Sequence, residues 1–138
     1  MKILNDKKGF TLIEMIVVVG IIGVLVAILV PRFTDIRSKS FAKATIANAK
    51  TVSTALELYY SENNNYPTLT SAVFLGSSTS SIESFLSVPL SNPYTGNAYT
   101  GSSESGGIEI TTATGPDSFT VTAYDDKNNS LITISTDD

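Results

Sequence analysis

Lys7-Lys8-Gly9-Phe10-Thr11-Leu12-Ile13-Glu14 decides the reading of this chain, because it opens an apolar run from Phe10 to Val30 in which Glu14 is the one ionisable side chain. A helix needs about 20 apolar residues to cross a bilayer, and the 21 positions of this run supply them, with Lys7 and Lys8 before it and Arg32 after it. The sequence therefore predicts one membrane-crossing helix. An ionised carboxylate inside such a segment costs about 2–3 kcal/mol or more unless it is paired. Read from the sequence, Glu14 has no counterion in its own span, which points to a partner on another chain.

A secretory signal peptide fits this N-terminus poorly, since it has an apolar core of 7–15 residues and a small-residue cleavage site. Here the core is longer, Ala27 stands alone, and Val30-Pro31-Arg32-Phe33 closes the run. The chain has no cysteine, which excludes a lipoprotein anchor. A plain signal anchor remains open on physical grounds, with Glu14 incidental.

Gly9-Phe10-Thr11-Leu12-Ile13-Glu14 followed by an apolar helix resembles the class III signal of type IV pilins and pseudopilins. The resemblance is dense from Lys7 to Phe33, looser to Pro67, and beyond that is one of layout. It implies a leader, residues 1–9, cut by a prepilin peptidase between Gly9 and Phe10, with methylation of the new Phe10 amine. Glu14 then stands fifth in the mature chain, the family's glutamate position, and Gly23 and Pro31 fall where the family loosens its helix. It also implies a single-pass protein of the bacterial cytoplasmic membrane that an inner-membrane machinery assembles with copies of itself into a cell-surface filament.

The residues support that picture independently. Losing residues 1–9 removes Lys2, Lys7 and Lys8 and leaves an amine on Phe10. If subunits stack with a small axial offset, Glu14 of one meets the Phe10 amine of the next, and each lowers the other's burial cost. Phe10 and Glu14 are thus the candidate assembly residues. Gly23 and Pro31 are candidate weak points, since glycine costs a helix about 1 kcal/mol and proline removes a hydrogen bond.

From Arg32 to Glu62 the pattern becomes amphipathic, with Ala42, Ile46, Ala49, Val52, Leu56 and Tyr59 at steps of three and four. Helix from Phe10 to Glu62 is 53 residues, roughly 80 Å at 1.5 Å per residue. Asn63-Asn64-Asn65-Tyr66-Pro67 ends it, because asparagine tolerates a left-handed backbone and proline forbids continuation. Residues 68–107 read as a Ser/Thr/Gly-rich connection with short helices near Ser71–Leu75 and Ser81–Leu86 and a turn at Asn92-Pro93-Tyr94-Thr95-Gly96-Asn97. That turn is similar to one in major pseudopilins, with Thr95 inserted. Alternation in Ile108/Ile110, Phe119/Val121/Ala123 and Ile132/Ile134 predicts three antiparallel strands. Thr114-Gly115-Pro116-Asp117 and Asp125-Asp126-Lys127-Asn128-Asn129 link them.

The fold class expected is α+β: a long N-terminal α-helix spine with a small antiparallel sheet head packed on its C-terminal half. Its parts are leader 1–9, membrane and filament-core helix 10–31, amphipathic helix 32–64, connection 65–107 and sheet 108–138.

Charge divides sharply along the chain. Residues 1–50 hold 8 of the 9 basic side chains, and residues 51–138 hold Lys127 against 10 Asp and Glu. A head near −9 argues against nucleic acid as a partner, because phosphate binding needs clustered Lys and Arg. The chain has no histidine or cysteine, so the commonest general base, the thiol nucleophile and most transition-metal sites are missing, and no enzymatic activity is expected. No cofactor is expected. Asp125-Asp126 and Asp137-Asp138 leave calcium in the C-terminal region open, since calcium takes several oxygen ligands, and the resemblance adds that some major pseudopilins hold it there; solvated acidic turns are the simpler reading. The resemblance also implies a C-terminal disulfide in many pilins, which this chain cannot form. Asn128-Asn129-Ser130 fits a short glycosylation sequon. A pseudopilin of a secretion or DNA-uptake apparatus is the nearest alternative to a pilus subunit, and a single-span protein with a ligand-binding head is the alternative of another class.

Overall fold

The computed structural model describes residues 9–69, 73–76, 82, 84–86, 88–101, 103–112 and 118–136. The expected leader residues before Gly9, Thr114-Gly115-Pro116-Asp117 and Asp137-Asp138 lie outside them. One helix, α1 (Leu12–Asn63), is followed by β1 (Val73–Phe74), β2 (Ile108–Thr112), β3 (Phe119–Tyr124) and β4 (Ser130–Ser135). The strands form one antiparallel sheet in the order β1-β2-β3-β4. The chain divides into two compact units, Met1–Arg37 and Ser38–Asp138.

In the first unit the apolar side chains of α1 are all exposed, from Leu12 to Ile36. Water would tolerate such a surface poorly, and α1 is the one helix among the described residues long and apolar enough to cross a membrane. Pro31 lies inside α1 without ending it. Its missing N–H leaves the Ala27 carbonyl without its usual donor, and the Thr34 hydroxyl donates to the Pro31 carbonyl at 2.8 Å.

In the second unit, α1 contributes Thr45, Ala49, Val52, Ala55 and Leu56 to the interior. Ile108, Ile110, Phe119, Val121 and Ala123 of the sheet meet this stripe in one cluster. The alternation in β3 is strict, with Phe119, Val121 and Ala123 buried and the intervening residues half-buried, as a sheet covered on one face requires. The observed stripe is rotated from the expected one: Ala42, Ile46 and Tyr59 are only half-buried, and Thr45 and Ala55 replace them. Thr45 can be buried because its hydroxyl donates to the Phe41 carbonyl at 3.0 Å.

The helix stops where its asparagines allow it to. Asn64 takes a left-handed φ of 55°, its N–H closes the last turn on the Tyr60 carbonyl at 2.7 Å, and the Asn63 side-chain amide adds a donor to the Tyr59 carbonyl at 3.0 Å.

The expected short helix near Ser71–Leu75 is incorrect. Val73 and Phe74 instead pair with Ile110 and Glu109, giving the sheet a fourth strand. A β-branched residue beside an aromatic fits a pleated surface, and the strand is then held by the Leu75 N–H, which donates to the Ile108 carbonyl at 2.8 Å. Gly76 turns the chain at φ 95°, and a Cβ there would stand 2.2 Å from the Tyr99 carbonyl oxygen. Of the second expected helix, Ile82 is helical and the Phe85 N–H donates to its carbonyl at 3.0 Å; Ser81 lies outside the described residues.

The Asn92–Asn97 turn forms as expected. Asn92 is fully buried; its amide donates to the Ser105 carbonyl at 2.9 Å and its oxygen accepts the Tyr94 N–H at 2.9 Å. Asn48 on α1 donates to the Ser91 carbonyl at 2.9 Å and the Tyr99 hydroxyl at 3.1 Å, which ties the connection to the helix.

Candidate functional site

The candidate site is the start of α1. Gly9, Phe10 and Thr11 are exposed and lie before the first helical residue, so the Gly9–Phe10 peptide bond is in accessible, non-helical chain. Phe10 is 83 % exposed.

Glu14 has hydrogen-bond partners within its own chain, though no counterion among the described residues. Its Oε2 accepts the Thr11 N–H at 2.7 Å and the Thr11 hydroxyl at 2.8 Å, and the Thr11 Oγ1 accepts the Glu14 N–H at 3.3 Å. This is a reciprocal capping box with Thr11 at the N-cap and Glu14 at the third helical position. The carboxylate also sits where the helix dipole favours negative charge. Glu14 therefore has a task inside its own chain, and the spacing Thr-x-x-Glu ahead of an apolar run is the signal by which the sequence announces it. Thr11 is the functional residue that sequence reasoning missed.

The box engages only one oxygen. Oε1 of Glu14 makes no hydrogen bond among the described residues and remains available to a second cation. Phe10 and Glu14 are thus brought to the same helix end, whereas Gly23 and Pro31 lie further along the span. A Cβ on Gly23 would meet nothing within 4 Å, so its lack of a side chain serves no packing need within the single chain.

In the head, the acidic turn is self-satisfied. Asp125 Oδ1 accepts the N–H groups of Lys127 and Asn129, both at 2.8 Å, and Oδ2 accepts the Asn129 side-chain amide at 2.9 Å. Those bonds, first the Asn129 side chain and then its backbone, hold the Asp125 pKa below the ordinary carboxylate value. Among the described residues no three acidic side chains converge as a metal site. The Tyr66 hydroxyl donates to Glu57 at 3.2 Å; burial first and the Glu57 charge second push its pKa up to about 12.

A capped N-terminal helix long and apolar enough to cross a membrane, together with a small four-stranded antiparallel sheet, defines an α+β class of protein. The profile of the prokaryotic N-terminal methylation motif matches residues 4–30. The chain is 34 % identical over 68 residues to the type II secretion system core protein G of Escherichia coli (strain K12), covering 49 % of this chain and 47 % of that protein. It is 40 % identical over 60 residues to the type IV major pilin protein PilA of Myxococcus xanthus, covering 44 % and 27 %. With a fimbrial protein of Neisseria meningitidis it shares 32 % identity over 73 residues, covering 53 % and 43 %. The matched segment spans less than half the length of each of these three relatives. No solved structure matches. Over this N-terminal region the chain carries the prokaryotic N-terminal methylation motif and is similar to type IV pilins and type II secretion pseudopilins.

Proposed function

We propose that the chain is a structural subunit of a type IV pilus filament, which polymerises through its N-terminal helix after cleavage between Gly9 and Phe10 and methylation of the Phe10 amine. The observation that carries this reading is the arrangement at the helix start: an exposed Gly9–Phe10 bond beside a carboxylate with one oxygen committed and the other without a hydrogen bond among the described residues. Cleavage creates a cation on Phe10. In an assembled filament Oε1 of Glu14 accepts that amine from the neighbouring copy, while Oε2 keeps capping its own helix. Each charge then loses less on leaving water than it would alone. Before assembly the helix anchors the protein in the bacterial cytoplasmic membrane; afterwards the head faces outward on the cell surface. Gly23 and Pro31 ease withdrawal of the helix from the bilayer. The role is assembly rather than catalysis, the peptidase and the inner-membrane assembly machinery being the partners in that process.

The identity to protein G of a secretion system supports a second reading, a major pseudopilin using the same contacts in a secretion or DNA-uptake apparatus. Electron microscopy of the exported protein, with mass spectrometry of its N-terminus, tests the proposal. Filaments of a chain beginning at methylated Phe10, abolished by Glu14→Gln, are expected. A solitary exported monomer that retains residues 1–9 overturns it.

A further inference from the structure

Lys39, Lys43 and Lys50 are spaced four and seven residues apart on α1, which places them on one face of a 3.6-residue helix. All three are exposed, and none has an ion-pair partner among the described residues. The row lies in the second unit, away from the buried stripe of Thr45, Ala49, Val52 and Leu56. It is about 16 Å long at 1.5 Å per residue. Like charges held in a row repel one another; Asp35, four positions before Lys39, and Glu57, seven after Lys50, flank the row without forming an ion pair with it among the described residues.

The complementary charge is on the sheet. Among the described residues of the head four of the six carboxylates are hydrogen-bonded, Glu57 to Tyr66, Glu104 to the Thr100 N–H, Glu109 to Tyr124 and Asp125 within its own turn; of the other two, Glu62 is in the last turn of α1 and Asp126 is on the sheet. Asp126 is exposed at the tip of the β3–β4 turn and its carboxylate makes no hydrogen bond among the described residues. It lies close enough to Tyr94 for its charge to raise the Tyr94 pKa, and the Tyr94 ring packs on Phe41 of α1 at 5.3 Å. The Gly106 N–H donates to the carbonyl of the adjacent Asp125 at 3.2 Å and the Tyr94 ring lies against Gly106, so the turn stands beside the Tyr94–Phe41 pair.

We propose that the Lys39–Lys43–Lys50 row is a docking surface for the β3–β4 turn of a second copy of this chain, with Asp126 as its acidic contact. The inference rests on the filament reading and adds to it a contact between heads and helices that sets axial position independently of Glu14. Electrostatic matching of this kind acts chiefly on specificity and encounter, because reversing one partner places like charges together. A bilayer is a poorer partner for the row, since Lys43 and Lys50 come 13 and 20 positions after Val30, where the apolar run ends, and juxtamembrane lysines act within about a Debye length of the lipid surface.

The test is the yield of surface filaments from the full chain. Lys43→Glu, Lys50→Glu and Asp126→Lys should each reduce it about tenfold or more, and a double variant joining Asp126→Lys to the affected lysine reversal should recover most of it. Circular dichroism melts of the exported variants should match the unmodified protein, because none of these side chains is bonded among the described residues. Normal filaments from all three reversals, with Glu14→Gln still abolishing assembly, refute the docking surface and leave the filament reading intact. Losses that the double variant does not recover also refute the pairing. No filaments from the unmodified chain refute both.

Discussion

Replacing Thr11 by valine keeps the shape of the N-cap and removes its hydroxyl. Two of the three hydrogen bonds of the capping box are then lost: the 2.8 Å bond from Thr11 Oγ1 to Glu14 and the 3.3 Å bond from the Glu14 N–H to Thr11. The 2.7 Å bond from the Thr11 N–H to Glu14 stays. Loss of an N-cap side chain costs about 1 kcal/mol, and because about 1.4 kcal/mol is tenfold, the frayed first turn should become about fivefold more populated. Amide hydrogen exchange in detergent micelles reads this directly. The Met15 amide, which donates to the Thr11 carbonyl at 3.3 Å, and the Ile16 amide should exchange about fivefold faster, with amides beyond Gly23 unchanged. Glu14→Ala removes two of the three bonds as well and should produce a similar change. Unaltered protection at Met15 and Ile16 in both variants would show that the box does not hold the helix start, and the division of labour between the two Glu14 oxygens would fall with it.

Three further outcomes follow from the head. Leu56 is fully buried in the cluster joining helix and sheet, so Leu56→Ala should cost about 3 kcal/mol and lower the melting temperature by on the order of 10 °C or more in a calorimetric scan. Gly76→Ala adds a Cβ 2.2 Å from a backbone oxygen at φ 95°, and should destabilise by about 2 kcal/mol in urea titration. The Tyr66 pKa is raised from 10.0 to about 12. Its contribution to stability is therefore complete below about pH 10 and is lost as pH rises to about 12, a slope that Tyr66→Phe should flatten.

Much of this molecule is legible in its residues. Period-two alternation located β2, β3 and β4, and Asn63-Asn64 marked the end of α1, because these signals depend on neighbours in sequence. β1 was not legible: two residues in a polar connection carry no period, and their conformation is fixed by Ile110 and Glu109, which lie far along the chain. The buried stripe was misplaced by a few positions because apolarity alone ranked Ala42 and Tyr59 above Thr45, whose hydroxyl is satisfied by a carbonyl one turn back. At the N-terminus the glutamate was found and its partner overlooked. Hydropathy draws the eye to a charge among apolar residues, whereas the Thr11–Glu14 pair is a matter of helix termini.

The outer strand β4 reads Ser-Leu-Ile-Thr-Ile-Ser, without a charged residue or a proline, and among the described residues only β3 lies beside it. Among the described residues no strand pairs with its far edge, and charge and proline, the usual safeguards against strand-by-strand addition of further molecules, are lacking from it. Purified material should accordingly be prone to gelation or sheet-like aggregates when concentrated, and a lysine at Thr133 would be the simplest remedy.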